Sequence, residues 1–225
     1  MDKYTFHIPA ECHEPVTVIH ADEHILVVNK PSGLLSVPGR IVKDCVIQRM
    51  RCDYPQVAIV HRLDLDTSGL QLMSLSKLAT SDLNRQFRER QVYKEYVAEV
   101  FGLMDDDVGE INAAIAPDPL NRPRQLVDHD RGKAALTRFE VLDRSTDHSN
   151  LVVNSTRVRL KPVTGRSHQL RVHMASIGHP ILGCDLYAHE QARNAASRLY
   201  LHATFLRITH PGTGKEVEFE SPVPF

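Results

Sequence analysis

The 225-residue chain is predicted to fold as an α+β domain on a large, mostly antiparallel sheet. Three observations predict it. Short apolar or alternating runs outnumber runs of helical period. The two kinds do not alternate strictly, as a parallel βαβ array would require. No Pro/Gly/Ser-rich linker divides the chain, whose length suffices for a full core.

In chain order, Val16 to His20 and Ile25 to Lys30 read as two short strands, the second ending in a Lys-Pro-Ser-Gly turn. Asp44 is placed to cap a short helix through about Arg51. Val57 to Val60 is a short apolar strand that leads into His61, and Leu70 to Leu75 reads as a buried strand. Lys77 to Arg90 has helical period, with Leu78, Leu83 and Phe87 on one face and Arg85, Arg88 and Arg90 outside. Tyr93 to Val100 alternates as a strand does. Gly109 to Ile115, Ala134 to Leu142 and Leu151 to Lys161 read as further strands. Ser167 to Ile177 reads as a helix with Ser167 as its cap and Gly178 as its stop. Tyr200 to Thr209 and Glu216 to Glu220 close the chain as strands. The acidic stretch Asp105-Asp106-Asp107 reads as a solvated turn.

Composition excludes several classes. The chain is 42% hydrophobic and 24% charged, ordinary for a globular protein. No apolar run approaches the roughly 18 residues of a membrane span. The N-terminus lacks the basic-then-apolar pattern of a signal peptide, so the cytoplasm is the expected compartment and no membrane partner is expected. Four cysteines, at 12, 45, 52 and 184, form no Cys-x-x-Cys pair and read as free thiols. His168 and His173 lie five residues apart, not at the i, i+4 spacing of a helical zinc pair, so no metal is expected. Gly165 to Gln169 lacks the final glycine of a nucleophile elbow. Gly212 to Glu216 fails as a P-loop, and Gly-x-Gly-x-x-Gly is absent, so no nucleotide cofactor is expected.

The net charge of −1 conceals segregation. From His148 to Cys184 there is no acid, but there are Arg157, Arg159, Lys161, Arg166 and Arg171. From His24 to Lys43 there is again no acid, against Lys30, Arg40 and Lys43. Seven acids and no Lys or Arg lie between Glu95 and Asn121. Such segregation can give a basic face, an electrostatic footprint for phosphates. The cations are 19 Arg to 8 Lys, and arginine offers a planar fork to phosphate and stacks on bases.

Two stretches carry the chemistry. His61-Arg62-Leu63-Asp64-Leu65-Asp66-Thr67-Ser68-Gly69 sets a carboxylate between an apolar run and a turn. Thr164-Gly165-Arg166-Ser167-His168-Gln169-Leu170-Arg171-Val172-His173 supplies cations and amides. Asp64 has a structural reading, as a cap of the Thr67-Ser68-Gly69 turn or a partner of Arg62. It has a chemical one if Arg166 also approaches, because an ionised, oriented carboxylate can attack a sugar carbon or remove a proton. Asp66, two residues on, is a poor candidate for the second, facing carboxylate that an ordinary glycosidase needs. Tyr96 reads as a core aromatic or as a ring that stacks on a base.

These residues resemble the RluA family of pseudouridine synthases. His61 to Asp64 with Thr67 to Gly69 matches the family's active-site motif. Asn29-Lys30-Pro31-Ser32-Gly33-Leu34-Leu35 with Pro38-Gly39 matches its N-terminal motif. Thr164 to His173 and Leu201-His202-Ala203 match later ones. Arg85 to Arg90 and Asn121-Arg122-Pro123 look like the branch of dual specificity. The resemblance, from about Val16 to Phe225, implies one catalytic domain over 16–225 after an extension over 1–15. It implies a mixed sheet with flanking helices and a central cleft. Many relatives carry an N-terminal S4 domain, and none is expected here. It implies an isomerase that turns uridine into pseudouridine in structured RNA, without cofactor, acting as a monomer on transfer RNA (an anticodon-loop uridine) and large-subunit ribosomal RNA (a 23S hairpin). Asp64 would be the catalytic carboxylate and Arg166 its ion-pair partner. Tyr96 would lie beside the target base, Leu201 would line the pocket and Arg62 would hold the displaced nucleotide. The family often has Asp after Pro-Ile-Leu-Gly, where this chain has Cys184 and then Asp185. A catalytically inactive RNA-binding factor of the same fold is the alternative.

Overall fold

A computed structural model describes residues 9–146 and 153–225, and the chain divides into two compact units. The first comprises Met1–Lys94 and His202–Pro224, the second Glu95–Leu201 with Phe225.

In the first unit the strand order is β1 (Thr17–Ala21), β2 (Ile25–Lys30), β4 (Ser68–Ser74) and β11 (Leu201–Thr209). β3 (Ala58–Ile59) pairs with β4, and β12 (Glu216–Glu220) with β11. All these pairings are antiparallel except β4 with β11, which run parallel. The sheet is therefore mixed and mostly antiparallel, as predicted. β2 and β4 are buried along nearly their whole length because both faces are covered. Leu26, Val28 and Met73 pack with helix α1 (Val46–Met50), and Ile25, Val27, Leu70 and Leu72 pack with Leu83 of helix α2 (Lys77–Arg88).

In the second unit β5 (Tyr93–Phe101) pairs with β10 (Ser155–Pro162), β10 with β9 (Leu136–Ser145) and β9 with β6 (Val108–Asn112), all antiparallel. A separate hairpin joins β7 (Ile115–Pro117) to β8 (Gln125–Val127). The period of 2 puts Ala98, Val100, Val158, Leu160 and Phe139 in one core cluster with Leu170 and Met174 of helix α3 (Gln169–Ser176). Helix α4 is Glu190–Asn194.

Several expectations are corrected. Asp44 does not cap α1. Cys45 holds the cap position without a side-chain bond, while the Asp44 carboxylate is drawn to the Arg49 guanidinium at 2.6 Å. On α2 the inward residues are Ala79, Leu83 and Gln86, and Leu78 is 59% exposed. Gln86 belongs inside because it bonds the main chain of Thr209 through both ends of its amide. The single strand expected over Gly109 to Ile115 is two strands in two sheets. Ser167 does not cap α3; His168 precedes it in left-handed backbone, φ 55 and ψ 17. Residues 151 and 152 of the strand expected from Leu151 lie outside the described residues. The Asp105–Asp107 turn is exposed, as expected.

Candidate active site

Asp64 lies in a segment without regular structure between β3 and β4. That segment is held by its carbonyls. Lys30 is completely buried, and its ammonium donates to the carbonyls of Pro31 (2.8 Å), Leu34 (2.7 Å) and Leu65 (2.8 Å). A buried ammonium is tolerable only when its protons are so engaged. The Ser36 hydroxyl donates to Leu63 O and accepts from Leu63 N, Gly33 N donates to Leu65 O, and Ser32 Oγ donates to Asp66 O. The Asn-Lys-Pro-Ser-Gly turn and Ser36 beyond it therefore grip the main chain on both sides of position 64. The Asp64 side chain stays half-buried, and it has no hydrogen bond or ion pair among the described residues of its unit. Neither structural reading, the turn cap or the pair with Arg62, is realised there; Arg62 is exposed.

Both ends of this segment are fixed. His61 Nε2 accepts the Leu72 N–H at 2.9 Å, and the ring stacks on Phe87 at 4.8 Å. Burial, with the nearby Lys94 charge, pushes its pKa down to about 3. The imidazole is therefore neutral, with its proton on Nδ1. Gly69, at φ 109, lies against Ala203, whose carbonyl oxygen would be 2.3 Å from any added Cβ. Only glycine admits that approach. Ser68 Oγ meets His202 Nδ1 at 2.9 Å, and His202 Nε2 meets Ser221 Oγ at 3.0 Å. The Thr-Ser-Gly and Leu-His-Ala motifs thus lock two strands together.

The second unit holds Tyr96, Arg166 and Leu201. Buried Gln169 organises the Arg166 turn. Its Oε1 accepts from Thr164 Oγ1 (2.7 Å) and from Arg166 N (3.0 Å); its Nε2 donates to Leu136 O and Thr137 Oγ1, both at 3.0 Å. Arg166 Nε donates to Ala134 O at 3.1 Å. Leu201 belongs to the core cluster of β5 and β10, and Tyr96 packs against the same cluster.

Part of the expected basic face is neutralised. Arg159 lies 3.2 Å from Glu95 and 3.0 Å from Glu140; Lys161 lies 3.1 Å from Glu140. Those cations hold the Glu140 carboxyl below its usual range, Lys161 first. Arg171 is buried, with its guanidinium 2.5 Å from Asp185 and 3.3 Å from Cys184 Sγ. Asp185 thus takes the ionic role one place beyond Cys184. Of the 95–121 acids, Glu95 meets the cations Arg159 and Lys161, and Lys30 serves inside.

Lys30, Ser32, Ser36 and Gln169 are functional supports that the sequence reading did not single out as such. Lys30, Ser32 and Gln169 lie in quoted motifs, which was their one signal, and Ser36 falls between the two pieces of the N-terminal motif. Among the described residues no group of three His, Cys, Asp or Glu is placed to hold a metal ion. None of the described helices is long and apolar enough to cross a membrane.

Comparison with known proteins defines the class first. A dual-specificity RNA pseudouridine synthase RluA of Escherichia coli strain K12 is 50% identical over 212 residues, covering 93% of this chain and 94% of that protein. The protein of that name from Yersinia pestis is 50% identical over 210 residues, covering 92% and 99%. The solved structure of human RNA Pseudouridylate Synthase Domain Containing 1 matches with TM-score 0.81 at 30% identity, over 97% of this chain and 87% of that one. The architecture is therefore that of an RNA-modifying isomerase. The RNA pseudouridylate synthase family model matches residues 24–176, and the chain belongs to that family. Its activity is pseudouridine formation in RNA.

Proposed function

We propose that Asp64 is the catalytic carboxylate, acting on uridines of two RNA classes: an anticodon-loop uridine of transfer RNA and a hairpin-loop uridine of 23S ribosomal RNA. The observation that carries the reading is the Asp64 segment itself. Its carbonyls at 63, 65 and 66 are gripped while the one carboxylate between them is left unengaged within its unit. A rigid main chain under an uncommitted acid is what a group reserved for substrate requires. Motif resemblance supports the remaining roles. Arg62 holds the displaced nucleotide, Tyr96 stacks on the base, Leu201 is an apolar wall, and Arg166 is the guanidinium that serves the acid. The dual specificity carried in the relatives' names supports two substrates. The enzyme is proposed to work in the cytoplasm as a monomer.

The reaction breaks the bond between N1 of uracil and C1′ of ribose and makes one from C5 to C1′, while the proton on C5 leaves and N1 gains one. Atoms and electrons are conserved, so neither an oxidant nor an energy source is consumed. The base must leave its stack, which favours loop uridines. Water must be kept from the detached sugar, or hydrolysis would intercept it. An ionised carboxylate supplies an electron pair to the sugar, at its anomeric carbon or its 2′ hydrogen.

Asp64→Asn should fold as the wild type does and make no pseudouridine on an anticodon stem-loop, read by chemical mapping. A wild-type yield from that variant rejects the assignment. Mapping transfer and ribosomal RNA from a deletion strain tests the two-substrate claim; a gap in only one class would reduce it to single specificity.

A further inference from the structure

We propose that Tyr187 is a positioning residue for the isomerisation, holding through His168 the backbone that carries Arg166. The inference rests on the reading that Arg166 serves the reaction. His168, two residues beyond Arg166, enters α3 in left-handed backbone. An N-cap residue ordinarily sits in the extended region, and residues other than glycine enter the left-handed one at a steric cost. Something must hold it there. The His168 ring Nδ1 lies 2.6 Å from the Tyr187 hydroxyl.

Tyr187 is itself fixed from several sides. Its hydroxyl accepts the Gln125 N–H at 2.8 Å and keeps a phenolic proton that it can share with His168 Nδ1. Two guanidinium groups attend its ring, Arg171 at 5.3 Å and Arg124 at 5.5 Å from the centroid. Arg171 is anchored in turn on Asp185 and Cys184. Gln125 opens β8 opposite Pro117, so one hydroxyl joins the loop end of the β7–β8 hairpin to the 164–173 segment. The bond from Arg166 N to Gln169 Oε1 spans the same turn, as does that from Val172 N to His168 O at 3.0 Å. Releasing His168 would free both ends of the turn that presents Arg166.

Tyr187→Phe keeps the ring and removes both hydroxyl bonds. The single-turnover rate on an anticodon stem-loop should fall about tenfold, since a displacement of about 1 Å can cost up to 100-fold in rate. The RNA Kd should stay within about twofold, because no phosphate contact is removed. His168→Asn, which tolerates left-handed backbone, should keep the rate within about threefold; β-branched His168→Val should lose at least as much as Tyr187→Phe. A wild-type rate in Tyr187→Phe, a loss seen only in Kd, or equal rates in the two His168 variants would overturn the proposal, and the His168 pair decides even if Tyr187→Phe folds poorly. Arg166→Met is the control: a wild-type rate there overturns the reading of Arg166 and this inference with it. A slow Arg166→Met beside a normal Tyr187→Phe overturns this inference alone.

Discussion

The two motif turns are held by opposite means. Around Asp64, side chains from the 30–36 segment grip the main chain, and the reactive side chain has no partner within its unit. Around Arg166, one amide from the turn's own helix grips the main chain, and the guanidinium is itself tied to Ala134 O. The acid's turn is thus fixed wholly from outside, whereas the arginine's is held from within by Gln169 and from outside through the Tyr187–His168 contact. A change at the support of the first turn should move its whole carbonyl row, whereas a change at the second can be shared among Gln169, His168 and Ala134.

Lys30→Met tests that difference most severely. It leaves the carbonyls of Pro31, Leu34 and Leu65 without their ammonium donor. Stability should fall by about 2–4 kcal/mol, and the single-turnover rate by more than about 100-fold even where the variant is folded. Urea unfolding beside a rapid-quench assay at low temperature checks both. If folded Lys30→Met turns over normally, the external grip has no part in placing Asp64.

Much of the first unit was legible from apolar pattern, because β2 and β4 have both faces covered and no other element fits such runs. What escaped was local or distant. α4 (Glu190–Asn194) is one turn of mainly polar residues, and β8 has three residues, so neither shows a period. The left-handed entry of His168 is only weakly marked, by a residue type that visits that region more often than most. The charge pairing escaped for a different reason: Arg159 meets Glu140 only because β9 and β10 pair in that register, 19 residues apart in sequence. Asp64 was visible because its motif is contiguous. Lys30 was in view too, but its buried donors act across 35 residues on Leu65.

His61 sharpens the comparison through pH. Its pKa in the fold is about 3, below the usual 6.5, because burial disfavours the charged ring. The unfolded chain therefore takes up a proton between pH 6.5 and 3 that the folded chain refuses. This contribution to stability is complete above pH 6.5 and is lost as pH falls toward 3. His61→Asn, which retains an acceptor for Leu72 N–H, should lose about 1–2 kcal/mol less than the wild type between pH 7 and 5. Parallel losses in urea titrations at the two pH values would remove His61 as an acid-sensitive pin of the Asp64 turn.

The smallest effect separates cations that face solvent from cations that face acids. Arg88 on α2 is 71% exposed, and its nearest acid, Glu89, lies at 3.8 Å. Arg159 is pinned between Glu95 and Glu140. Counterion release counts only the cations that reach phosphates. Arg88→Ala should weaken RNA binding and reduce the slope of log K against log salt by about 1. Arg159→Ala should leave both within error, since it removes a charge already balanced by the sheet. A salt titration of the two variants on one stem-loop is sufficient. If Arg159→Ala lowers the slope and Arg88→Ala does not, the β5–β9–β10 face is the RNA surface and its acids give way on binding.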